Sequence, residues 1–110
     1  ISSISSEISM PLRSAYCSSK FGLLGLTKAS AVELAKHNIL INAVGPGVTQ
    51  TELTFNVLGE LKMNEIARNV PIGRLATVED ISNVVLFMSS KQNSYMVGQN
   101  IIVDGGYTCV

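Results

Sequence analysis

The sequence predicts an α/β fold built on a parallel sheet. Two short runs, Ile39–Val44 and Asn100–Val103, are dense in branched apolar residues and do not alternate with polar ones, as strands covered on both faces do. The stretches around them carry the three-to-four-residue apolar period of helices. Helix, strand, helix, strand is the order of α/β folds.

The chain opens on Ile1-Ser2-Ser3-Ile4-Ser5-Ser6, which reads as the end of a strand and the loop after it rather than a linker. Pro11 disfavours a helix interior, so a helix is placed from Ala15 to Lys36 with Ser14 as its N-cap. Leu24, Val32 and Leu34 are joined there by glycine, alanine and serine, an apolar surface too wide for a helix covered on one side only. Lys36 and His37 suit the negative end of that helix, and Asn38 suits the left-handed position after it. Ile39–Val44 is the first complete strand, and Gly45-Pro46-Gly47 is read as its stop. The segment Val48–Val70 is less regular, with one helix near Leu58–Asn69. Thr77-Val78-Glu79-Asp80 has the form of a capping box with Asp in the usual Glu place. Ile81, Val84, Val85 and Met88 then follow the i, i+3, i+4, i+7 rule. Asn100–Val103 is the second strand, closed by a turn at Asp104-Gly105-Gly106.

At 110 residues and 46% apolar composition, the chain is one small globular domain or part of a larger one. Eight basic residues balance eight acidic ones, which argues against a nucleic-acid or polybasic membrane partner. The longest apolar run, Val84 to Met88, has five residues, against roughly 20 for a membrane span. No leader is visible, although the opening reads as cut. Cys17 and Cys109 match no metal or redox spacing, so free thiols in a reducing, cytoplasmic setting are expected.

Tyr16 and Lys20 stand four apart at the start of the first helix, which puts both on one face about a turn apart. A free phenol ionises only near pH 10. A neighbouring ammonium favours the phenolate, and such a pair makes a general acid/base. The spacing alone is common. It gains weight from its surroundings.

Ser14-Ala15-Tyr16-Cys17-Ser18-Ser19-Lys20, with Ser3 thirteen residues before Tyr16, resembles the active-site segment of the short-chain dehydrogenase/reductase family. Ile41-Asn42-Ala43-Val44-Gly45-Pro46-Gly47 is similar to the family's next strand and its Pro-Gly loop. Pro71-Ile72-Gly73-Arg74-Leu75 and Gly98-Gln99, followed by Ile101 and by Val103-Asp104-Gly105-Gly106, resemble its C-terminal segments. The likeness runs through the whole chain in order. It implies the C-terminal part of a Rossmann-like doubly wound parallel sheet. Residues 1–110 would be the catalytic portion of a single NAD(P)-binding domain whose N-terminal half lies outside this sequence.

The resemblance also implies roles. Ser3 would hydrogen-bond the substrate carbonyl or hydroxyl. Tyr16 would exchange the proton, and Lys20 would hold the nicotinamide ribose and favour the Tyr16 phenolate. Pro46, Gly47, Val48 and Thr49 would border the nicotinamide, with a backbone contact from Thr49 to the carboxamide. Thr51 would reach the cofactor's amide or phosphate region. The glycine-rich pyrophosphate turn, the ribose-reading acid and the family's asparagine are not in this sequence. NAD and NADP are therefore equally implied, and residues 1–110 alone are expected to be inactive. The implied activity is hydride transfer between nicotinamide and a carbonyl or alcohol, with a leaning to 3-oxoacyl reduction. A homo-oligomer is implied, tetramer or dimer. The alternative is a catalytically idle binding or scaffold protein, against which an intact Ser3, Tyr16 and Lys20 argue. His37 and Asp104-Gly105-Gly106 read as structural, with no metal site expected.

Overall fold

The computed structural model of the chain describes all 110 residues. Strands β1, Ala43–Pro46, and β2, Asn100–Val103, pair in parallel, with Val44 opposite Ile101 and Pro46 opposite Val103. The Ala43 N–H donates to the Gln99 carbonyl at 2.8 Å and the Gly47 N–H to the Val103 carbonyl at 2.9 Å. Successive residues of a strand turn their amides to opposite edges, so the odd-numbered residues serve β2. Pro46, which has no N–H, falls on the other edge and removes no bond from the ladder.

This corrects the boundaries read from the sequence. The ladder begins at Ala43 rather than Ile39, and it runs through Gly45 and Pro46 instead of stopping there. Before Ala43 a single backbone bond, from the Gly98 N–H to the Ile41 carbonyl at 2.8 Å, is joined by a side-chain clamp. Asn42 donates to the Met96 carbonyl at 2.6 Å and accepts from the Gln99 N–H at 3.0 Å. On the other edge of β1 the Ser2 N–H donates to the Val44 carbonyl at 2.6 Å. The serine-rich opening is thus joined to β1 by one backbone bond, without forming a strand of its own, and is followed by one 3-10 turn, Ile4–Ser6; residues 2–6 are all buried.

Helix α1 spans Ser14–Leu34. Ser14 is already helical, and the residue before it, Arg13, has a non-helical backbone; no side chain caps this end. The expected serine cap is therefore absent. Cys17, Thr27 and Ala31 are buried, with Lys20, Leu24 and Leu34 half-buried between and after them, one stripe at helical spacing. Leu26, Ala29 and Val32 are exposed, and so are Gly22 and Gly25, which have no atom within 4 Å of a would-be side chain. A 3-10 turn, Ala35–His37, follows α1, and Asn38 reverses the chain at φ 58°, as its residue type predicts.

Helix α2, Glu52–Asn69, starts well before the predicted Leu58 and breaks at Gly59, whose φ is 72°. Its second half is the helix read from the sequence. Its first half was illegible because Leu53, Phe55 and Val57 recur every second residue, a strand-like period. Thr51 caps it by accepting from the Thr54 N–H at 3.1 Å. Helix α3, Val78–Ser89, carries the predicted capping box at Thr77 and Asp80. Ile81, Val84, Val85 and Met88 are its half-buried apolar residues, and the helix packs on β1. The architecture is α/β with a parallel sheet. Its core, Ile4, Cys17, Ala31, Ala43, Val44, Val70 and Leu75, gathers around β1.

Candidate active site

The carboxyl end of β1 opens into a cleft of about 390 Å³. Ligands of open α/β sheets bind at this end of the strands. Four pieces of chain wall it: the turn at Ser3, the first turn of α1, the loop from Pro46 to Thr49, and the first half of α2. That loop is held in place by pairing with a distant segment. The Gln50 N–H donates to the Ala76 carbonyl and the Ala76 N–H to the Val48 carbonyl, at 2.8 and 3.1 Å.

Ser3, Tyr16, Pro46, Gly47, Val48 and Thr49 all line this cleft. Ser3 is buried, and its hydroxyl oxygen accepts from the Ser5 N–H at 3.1 Å. A hydroxyl that accepts locally still has its own proton to donate. Tyr16, in the first turn of α1, is 43% exposed, so its phenol is accessible to a bound molecule. Lys20 does not line the cleft. Its ammonium lies 5.5 Å from the centre of the Tyr16 ring and donates to the Ile1 carbonyl at 3.2 Å. Thr51 does not line the cleft either, and its hydroxyl oxygen is engaged as the α2 cap. The N–H groups of Val48 and Thr49 meet no acceptor in the chain, although both residues are half-buried. A carboxamide oxygen bound in the cleft would satisfy one, so these residues fit a nicotinamide.

The perturbed carboxylates lie elsewhere. Asp80 is held well below the usual carboxylate range, first by the Arg74 guanidinium that grips both its oxygens and then by the Thr77 N–H. The same contact raises the Arg74 pKa. Burial pushes Asp104 up, but hydrogen bonds from the Thr108 hydroxyl, the Thr108 N–H and the Gly106 N–H outweigh it and leave its pKa lowered. Those bonds, 2.7 to 2.9 Å long, close the turn after β2 and make Asp104 a structural residue. Glu7 is drawn off too, accepting from the Asn100 side chain at 2.9 Å. Cys17 and Cys109 are unpaired.

A family model described as enoyl-(acyl carrier protein) reductase matches residues 1–108. The chain belongs to the short-chain dehydrogenase/reductase family. Over its full 110 residues it is 42% identical to the 3-oxoacyl-[acyl-carrier-protein] reductase FabG of Rickettsia bellii, and it covers 45% of that protein. A short chain dehydrogenase family protein from Francisella tularensis superimposes with a TM-score of 0.95 at 30% identity, covering 99% of this chain and 49% of the other. A 4-hydroxyisoleucine dehydrogenase complexed with NADH gives 0.92 at 35% identity, covering 99% and 45%. The chain thus spans about half the length of the short-chain dehydrogenases it matches. The Rossmann-like sheet expected from the sequence is the fold of the family.

The cleft also holds residues that the sequence reading passed over: Ile4, Ser5, Met10, Arg13, and on α2 Leu53, Thr54, Val57 and Leu58. Those on α2 had no legible helical period. Arg13 did carry a signal, since it stands three residues before Tyr16, close to one helical turn.

Proposed function

We propose that this chain is the C-terminal, catalytic portion of one Rossmann-like domain, and that the complete protein is an NAD- or NADP-dependent oxidoreductase acting on a carbonyl or alcohol. The observation that carries this reading is the meeting of Ser3, Tyr16 and the Pro46–Thr49 loop in one cleft, with the Lys20 ammonium beside the Tyr16 ring. When bound, the nicotinamide supplies or takes up the hydride. Tyr16 gives a proton to the carbonyl oxygen in reduction, or removes it from the hydroxyl in oxidation. Ser3 donates a hydrogen bond to the same oxygen and fixes its position. Lys20 sets a positive charge beside the Tyr16 ring and would hold the nicotinamide ribose. The Thr49 N–H serves the carboxamide, Pro46, Gly47 and Val48 border the ring, and Thr51 stands toward the amide or phosphate region.

The identity to a 3-oxoacyl reductase supports a 3-oxoacyl substrate. No helix is long and apolar enough to cross a membrane, and with two free cysteines this supports a cytoplasmic protein. The exposed apolar face of α1 supports a homo-oligomer, tetramer or dimer.

The test is Tyr16→Phe in the full-length protein, followed by nicotinamide absorbance with a panel of carbonyl substrates. Phe keeps the ring and removes only the oxygen that carries the proton. Turnover is expected to fall by about 10² to 10⁴, with cofactor affinity retained. Turnover within about threefold of wild type would remove Tyr16 from the chemistry. Cofactor binding without turnover by the wild type on any carbonyl would favour an idle scaffold.

A further inference from the structure

The candidate cleft has one charge. Of the residues lining it, Arg13 is the one arginine, with no lysine, histidine, aspartate or glutamate among the others. Its side chain is exposed and makes no ion pair and no hydrogen bond within the chain, as is also true of Lys28, Lys36, Arg68 and Lys91, and of these only Arg13 lines the cleft. The nearest acid in sequence, Glu7, is tied to Asn100 and lies outside the cleft. Leu12, at φ 61°, turns the chain immediately before Arg13. Across the cleft, Leu53, Val57 and Leu58 of α2 present an apolar wall. A guanidinium offers five donors in a planar fork that matches carboxylate and phosphate, and here the fork meets no protein acceptor.

We propose that Arg13 is a specificity residue that binds an anionic group on the substrate, next to the carbonyl handled by Tyr16. The inference rests on the oxidoreductase reading above and deepens it. The substrate has a short apolar body for the α2 wall and a negative group within reach of Arg13. The carboxylate of a free oxo or hydroxy acid has this chemistry at that distance, whereas the phosphate on the carrier arm of an acyl thioester lies the whole length of that arm from the carbonyl. Arg13 stands about one helical turn from Tyr16, so the negative group is held on the Tyr16 side of the cleft and the apolar body lies along α2. Water is displaced as the substrate fills the cleft, which strengthens a charge-assisted hydrogen bond.

The experiment compares wild type, Arg13→Gln and Arg13→Lys in the full-length protein. Two substrate pairs are used, each differing in charge: acetoacetate against methyl acetoacetate, and acetoacetyl-coenzyme A against acetoacetyl-N-acetylcysteamine. The ratio of kcat/KM for the charged member over the neutral one is read for each pair. In Arg13→Gln this ratio is expected to fall about tenfold in the acid pair, mainly through KM, and to hold within about twofold in the thioester pair. Arg13→Lys is expected to recover part of it, which a merely structural role for Arg13 would not produce. A fall in the acid pair supports the proposal, and a fall confined to the thioester pair overturns it, because it puts the anion site a carrier arm away from the carbonyl. Ratios that stay within about twofold in both pairs overturn the proposal. Calorimetric binding of the same four compounds gives the ratio without turnover. Arg13-dependent binding with no turnover would therefore sink the Tyr16 chemistry and leave the anion site standing. Tyr16-dependent turnover with unchanged ratios would do the reverse.

Discussion

Lys20 touches two things at once, the Tyr16 ring at 5.5 Å and the Ile1 carbonyl at 3.2 Å. One ammonium thus tensions the first turn of α1 against the opening segment that carries Ser3. Removing it takes away the positive charge beside the Tyr16 ring and the group proposed to hold the ribose. Lys20→Ala in the full-length protein is expected to lower turnover by about 10² and to weaken cofactor binding in the same assay. An unchanged cofactor dissociation constant would confine Lys20 to the tyrosine. Gly47 works at the same scale by being small. A side chain there would come within 2.9 Å of the Asp104 backbone, so the loop that borders the cleft can run against β2 only with glycine at this position.

Helix α3 shows how a few local bonds set an element. The Thr77 oxygen accepts from the Asp80 N–H at 3.2 Å, and the Asp80 carboxylate accepts from the Thr77 N–H at 2.8 Å while Arg74 grips it from outside. Thr77→Ala is expected to cost about 1 kcal/mol of stability, read from the denaturant midpoint. The sign of the pH effect follows from the direction of the shift. Asp80 and Asp104 are both held below their ordinary value of 3.8, so the folded state holds their protons less tightly than the unfolded chain. Their contribution is fully present above that value and is lost as pH falls below it. Asp80→Asn is expected to flatten the dependence of stability on pH below about pH 4. An unchanged slope in acid titration would show that the Arg74 contact does not persist in solution.

At the scale of the molecule, the shortage of cover is the controlling fact. Only 14 of the 110 residues are buried. The sheet has two strands, and such a pair is marginal in water without further strands or packing. Residues 1–110 expressed alone are expected to associate, to melt without a sharp transition, and to bind neither NADH nor NADPH. Circular dichroism, sedimentation and fluorescence titration check each point, and a soluble monomer with one cooperative melt would refute the claim. The face of α1 that carries Leu26, Ala29 and Val32 lies open, and a second copy of the full-length protein is its proposed cover. Ala29→Arg places a charge on that face and is expected to split the oligomer in sedimentation at micromolar concentration. Retention of the wild-type mass would move the interface elsewhere.

The sequence by itself determined the fold class, β2, the second half of α2, and α3 with its cap, because each is written in short-range patterns: unbroken branched residues, a helical apolar period, a Thr and an Asp three apart. It also determined the pairing of Tyr16 with Lys20, since helical spacing alone puts them on one face. Tertiary structure decided the rest. The start of β1 depends on Asn42 clamping Met96 and Gln99, more than 50 residues away, and no local pattern encodes that. Pro46 stays in the strand because its missing N–H faces away from β2, a matter of register. The first half of α2 forms despite a strand-like period because Thr51 caps it and Gly59 lets it end. The charge of the cleft was the least legible. Arg13 is one of eight basic residues, and only the folded chain places it in the cleft while engaging Glu7 elsewhere.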